Sequence, residues 1–231
     1  MVQAILAGTK TQTRRLVKSN VNLLQSDFSF KHVTRLGSPT EGHNTFAVFQ
    51  WNGDPHNKES TLIKCPYGNV GDVLWVRETW RKYYPTDEHG KIDWDRPIIE
   101  YAADNPDPIY LSDGDGCIET DAKGNEKLVP FKPSIHMPYD LCRLFLKIIS
   151  IRVERLQDIN LNDARAEGIV ETWGDGGRSL FPSDQPHEYD NRTSVENYTK
   201  LWGMINGAES WEENPWVWVV EFEKTDKPEL Q

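Results

Sequence analysis

AILAGTKTQTRRLVK, residues Ala4–Lys18, opens with a short apolar run, breaks at Gly8 and then alternates small hydroxyls with cations. A helix whose last turn is Ile5-Leu6-Ala7 can stop at Gly8, because glycine takes the left-handed conformation past a helix end without steric cost. The chain then leaves extended. Side chains alternate faces along a strand, so Thr9, Thr11 and Thr13 share one side and Lys10 lies on the other, unless the turn after Gly8 swings the lysine round. A hydroxyl, an amine and the two guanidiniums of Arg14 and Arg15 within so few residues suit either phosphate binding or acyl chemistry.

Outward from this stretch, β-branched and aromatic runs predict strands at Thr45–Trp51, Val73–Trp80, Cys142–Leu156 and Trp216–Phe222, with a shorter one at Pro97–Tyr101. In the Val73–Trp80 strand, Trp75 and Arg77 share a face. Such a pair is a cation–π packing contact or a stacking platform for a base. Asn160–Gly168 reads as a short helix with an Asn N-cap, an acidic first turn and a glycine stop. Glu167 falls in its last turn, where a carboxylate opposes the helix dipole. It therefore has a cationic partner or is kept for function. Thr193-x-x-Glu196 has capping-box form and starts a second helix ending at Gly207, with Val195, Tyr198, Leu201, Trp202 and Ile205 at core spacing. Strands outnumber helices and lie far apart in sequence. The expected fold is α+β, a small β-barrel or curled sheet with peripheral helices. One domain is expected over residues 1–224, carrying an acidic insertion at about 82–130 and followed by a charged tail, 225–231.

Composition narrows the function. The chain has 231 residues and a formal net charge of −10, which argues against a protein that coats nucleic acid non-specifically. The charge is uneven. Residues 1–36 carry six Lys/Arg against Asp27 alone, a net of +5; residues 82–130 carry five Lys/Arg against twelve Asp/Glu, a net of −7. A basic patch beside an acidic insertion is compatible with local recognition of a phosphate-bearing ligand. Cys65, Cys117 and Cys142 are too scattered for a zinc site or a disulfide framework. SDGDGCIETDAKGNE (Ser112–Glu126) departs from the calcium-loop pattern at Cys117 and Ile118, and Ala122–Asn125 reads as a hairpin turn. The prolines of PFKPSIHMP (Pro130–Pro138) exclude helix and sheet centre; its His136 is a structural histidine or a ligand contact. There is neither a membrane-length apolar run nor a basic n-region, so the expected location is the cytoplasm, with no membrane partner.

Four segments in order carry a family resemblance: ILAGTKTQTRR (Ile5–Arg15), GDVLWVRE (Gly71–Glu78), ISIRVERLQDINLNDARAEGI (Ile149–Ile169) and NPWVWVVEFEK (Asn214–Lys224). Together they resemble the ASCH domain, a branch of the PUA-like β-barrel superfamily, and the long form found in phage and prophage. The resemblance implies a barrel with a cleft and a nucleoside or RNA ligand. It also implies the activity of the small bacterial amidohydrolases that remove the acetyl group of N4-acetylcytidine. On that likeness the catalytic lysine, threonine and glutamate fall on Lys10, Thr13 and Glu167, and the motif's closing arginine on Arg15. Arg14, Arg15, Trp75 and Arg77 are the expected substrate contacts. No cofactor or metal is expected. The alternatives are an RNA-binding module without chemistry, or a ribonuclease, using the same basic cleft. The chain departs from the pattern in beginning inside the first helix, so one edge strand is missing or lies upstream. It also departs in the length of its insertions.

Overall fold

The computed structural model describes residues 1–18, 28–38, 42–51, 60–85, 89, 91–107, 109, 127–169 and 193–229. Ser112–Glu126, with Cys117 and the hairpin turn expected at Ala122–Asn125, lies outside them. In chain order the elements are α1 (Val2–Leu6), β1 (Gln12–Leu16), β2 (Phe28–Ser38), β3 (Gly42–Trp51), β4 (Ser60–Lys64), β5 (Val73–Trp75), β6 (Trp80–Tyr83), β7 (Ile98–Tyr101), β8 (Phe145–Arg155), α2 (Leu161–Ala166), α3 (Ser194–Asn206) and β9 (Trp216–Thr225). The fold is mixed α and β, mostly strand, with a curled half-barrel sheet. No described helix is long and apolar enough to cross a membrane.

The residues divide into two compact units. The first takes in Gln3–Leu74 and Leu146–Thr225; the second takes in Trp75–Phe145 and Asp226–Gln231. The acidic insertion expected at 82–130 therefore falls within the second.

In the first unit a sheet of order β1-β9-β8-β5 faces an antiparallel meander, β2-β3-β4. The apolar run of β9 explains the arrangement. Val217, Trp218, Val219 and Val220 are all essentially inaccessible, so both faces of this strand are covered. Because neighbours point to opposite faces, Val217 and Val219 enter one core with Leu156, Ile159, Ala164, Tyr198 and Trp202, under α2 and α3. Trp218 enters another with Ala47, Phe49, Ile63, Cys65 and Val153, under the meander. At about 25 cal/mol per Å², the 150–250 Å² of a buried tryptophan is worth roughly 4–6 kcal/mol of transfer free energy. β1 is the terminal strand of the sheet, antiparallel to β9, with Thr13 opposite Val220 and Arg15 opposite Trp218.

In the second unit β6 pairs with β7, and Trp80, Met137, Cys142 and Phe145 form the core. Two sequence expectations are corrected here. The strand expected over Val73–Trp80 is broken: β5 ends at Trp75 and β6 begins at Trp80. In the gap, Glu78 turns inward to 2% exposure, where its carboxylate accepts from Arg143 Nε at 2.9 Å and Nη2 at 2.8 Å. The proline-rich segment does hold one turn of 3-10 helix, Ser134–His136, which starts directly after Pro133. His136 is exposed.

Candidate active site

The site begins with how α1 ends. Gly8 has φ +73, and the amides of Thr9 and Lys10 both donate to the Ala4 carbonyl, at 2.9 and 3.0 Å. This turn delivers Lys10 to the end of α2. Lys10 forms an isolated antiparallel bridge with Glu167, and the Thr11 amide donates to the Ala166 carbonyl at 2.8 Å. Strand parity holds from there on. Lys10, Gln12 and Arg14 are buried, while Thr9 and Thr11 are exposed and Thr13 and Arg15 are half-buried.

Helix α2 supplies the other half. Asn160 caps it, its side chain accepting from the amides of Asn162 and Asp163 at 2.8 and 3.0 Å. Glu167 is the C-cap, and Gly168 follows with φ +84. A Cβ on Gly168 would lie 3.0 Å from both Ala4 Cβ and Lys10 Cβ, so this glycine is required by backbone conformation and by space. The dipole conflict at Glu167 is met by cations. Lys10 Nζ donates to Glu167 Oε2 at 2.7 Å, to the Glu167 carbonyl at 2.9 Å and to the Gln12 carbonyl at 2.8 Å. All three hydrogens of the ammonium are thus used. Both side chains are about 95% buried.

Arg14 is wholly inaccessible. Its Nη2 bonds Glu154 Oε1 and lies 3.2 Å from Asp163 Oδ2, and its Nη1 lies 3.7 Å from Glu167 Oε1. Arg14 Nε and Nη1 and Glu167 Oε1 have no hydrogen-bond partner among the described residues. Arg152 holds the same carboxylates from the far side, bonding Glu154, Asp163, Glu221 and Gln12. The expectation of Arg14 as a substrate contact therefore meets a guanidinium already taken up by protein carboxylates.

Lys10, Thr13, Arg14, Arg15 and Glu167 all line one cavity of about 510 Å³, together with Lys18, Tyr67, Tyr198 and Trp202. Burial pushes the Lys10 ammonium below the ordinary lysine value; Glu167 pulls it back up, and Arg15 and Arg14 push it down further. Burial and the Glu167 charge together raise the Tyr198 phenol, which stays neutral. No hydrogen bond joins Thr13 to Lys10 among the described residues, since the amine's three donors are occupied elsewhere.

The expected pair Trp75 and Arg77 is not brought to this cavity. Both lie in the second unit, where the Arg77 guanidinium sits 4.6 Å from the Trp75 ring centre and Trp75 packs edge-on to Tyr139 at 5.6 Å. Of the two readings of that pair, packing describes these contacts. Conversely, Tyr198, Leu201, Trp202 and Ile205, read from spacing as core, also line the cavity, and Ile205 is 58% exposed. Trp202 Nε1 is buried without a partner among the described residues. Neither the carboxylates that hold Arg14 nor the wall position of Tyr67 was read from the sequence. The described residues contain no group of three His, Cys, Asp or Glu suited to a metal. No family model, curated protein or solved structure matches the chain.

Proposed function

We propose that this cavity binds a nucleoside and that Lys10, Thr13 and Glu167 hydrolyse an N-acyl amide on its base, N4-acetylcytidine being the type substrate. The observation that carries the reading is a buried Lys10–Glu167 pair at 2.7 Å in the wall of a cavity that Thr13 also lines. A cavity of 510 Å³ falls in the size range of small-molecule sites. Tyr67, Tyr198 and Trp202 line the cavity and supply aromatic surface for a base. The ASCH-like motifs fall on the same three residues.

In this mechanism Thr13 Oγ1 attacks the acyl carbon and its proton passes to Lys10, so the lysine must first be neutral. Burial favours that state. A neutral amine has one lone pair, and Glu167 Oε2 now occupies that direction, the other two being fixed by backbone carbonyls. Glu167 must therefore leave Lys10 as substrate enters, and the open Nη1 of Arg14, 3.7 Å from Oε1, is a partner for it. Collapse of the tetrahedral adduct breaks the C–N bond. The base nitrogen takes up the proton that Lys10 received from Thr13, and water then cleaves the threonine ester to release the acid.

The second reading, a binding module without chemistry, is favoured by the saturation of Lys10, as in a purely architectural ion pair. Acetate release from N4-acetylcytidine separates the two. The amidohydrolase reading expects turnover by the wild type, at a rate that rises with pH as Lys10 loses its proton. It expects Thr13→Val, which keeps the side-chain shape, to lose at least about 100-fold. No release by the wild type, or equal rates in the two proteins, overturns it.

A further inference from the structure

We infer that Arg15 and Lys18 form a phosphate subsite at the mouth of this cavity, so that the molecule it takes is a nucleotide rather than a bare nucleoside. This rests on the nucleoside reading above and extends it. The four cations of the Ala4–Lys18 stretch are sorted by the fold into two kinds. Lys10 is neutralised by Glu167, and Arg14 by Glu154, Asp163 and Glu167. Arg15 and Lys18 line the same cavity and form no ion pair with a carboxylate among the described residues. Glu167 is the one acid among the described lining residues, and it is already committed to Lys10. Among the described lining residues the unspent charge is therefore positive, in a chain whose net charge is −10.

Arg15 is half-buried and has no ion pair with a carboxylate among the described residues. A planar guanidinium suited to two parallel hydrogen bonds is matched by phosphate oxygens. Position supports the same assignment. Arg15 follows Thr13 by two residues in β1, on the same face of the strand and about 7 Å further along by strand rise. An anion held there lies at one end of a ligand whose acyl group meets Thr13 at the other. Tyr67 lines the same cavity, close enough to Arg15 for that charge to oppose the rise of its phenol.

The test compares binding of cytidine, cytidine 5′-monophosphate and a short cytidine-containing RNA to the full chain, by calorimetry at low and high salt. Wild type is expected to bind the mononucleotide at least about tenfold more tightly than the nucleoside, as charge-assisted hydrogen bonds do. High salt should shrink the advantage. Arg15→Gln should abolish it, and the exposed Lys18→Gln should reduce it. If the RNA binds more tightly still and Arg15→Gln removes that gain too, the phosphate belongs to a polymer and the subsite stands. Equal affinity for nucleoside and mononucleotide overturns the subsite, as does an advantage that survives Arg15→Gln. If the nucleotide binds as expected but no acetate is released from N4-acetylcytidine or its monophosphate, the hydrolase reading falls and the subsite remains.

Discussion

Replacing Glu167 with Gln keeps the side-chain shape and removes the charge that faces Lys10. The variant leaves an ammonium about 95% buried beside an amide and two carbonyls. Removing one partner of a buried ion pair costs about 3–5 kcal/mol. An independent bound agrees: the protein can escape the unpaired charge by releasing the Lys10 proton. At pH 7, neutralising a lysine of ordinary pKa near 10.4 costs roughly 1.36 kcal/mol for each of about 3.4 pH units, or about 4.6 kcal/mol. In a chain of this size that corresponds to a melting temperature lower by roughly 6–20 °C. The pH dependence has a definite sign. Burial already holds the Lys10 amine below its unfolded value. Between the folded and unfolded values the unfolded chain binds more protons, so stability rises with pH. Glu167 limits the depression in the wild type. Without it the window opens further downward, and the variant regains stability faster as pH climbs toward the unfolded lysine value. Calorimetric melts of both proteins at about pH 7 and about pH 9.5 should show the deficit shrinking at the higher pH. A deficit under about 1 kcal/mol at pH 7, or one equal at both pH values, would refute the assignment of a charged, buried Lys10–Glu167 pair.

Two further outcomes follow from the same geometry. Gly168→Ala places a Cβ 3.0 Å from Ala4 and Lys10 at a φ of +84. It should lower stability by about 1–3 kcal/mol in denaturant titrations and reduce the proposed hydrolysis by moving Lys10; a neutral result would mean that the turn after α2 relaxes freely. Arg14→Met strips the cation shared by Glu154, Asp163 and Glu167 and should cost about 3–5 kcal/mol. Arg14→Lys should recover only part of this, because a point charge cannot serve three carboxylates as a guanidinium does. Full rescue by lysine in chemical unfolding would show that the fork geometry is unimportant.

What could be read from the residues was what depends on near neighbours. Gly8 and Gly168 end their helices with positive φ, Asn160 caps α2, the Thr193–Glu196 box starts α3 and the run around Trp218 is a buried strand, because caps, turns and apolar runs are local signals. The dipole argument at Glu167 left a cationic partner or a functional role open, and the structure sets Lys10 against it. Contacts distant in sequence were not legible. Arg14 and Arg15 both read as substrate contacts, yet one is wholly buried among carboxylates 140 or more residues away and the other opens on the cavity. The strand through Glu78 was broken by a partner, Arg143, that no periodicity announces. Helical spacing assigned Ile205 to the core, but an apolar stripe has the same period whether it faces a core or an open wall.

The bridge between Lys10 and Glu167 joins residues 157 positions apart. Closing a loop of that length costs chain entropy, so this contact is a non-local one that local structure alone does not bring about. Neither the N-terminal segment nor the β8–α2 segment can hold half of the site by itself. Each carries one charge whose counterpart lies on the other, and the charged network around Arg14 likewise draws on both. The pocket is therefore an all-or-none property of the assembled first unit. Any partly folded form that has its helices but not this closure presents a lysine and a glutamate to water instead of a pocket.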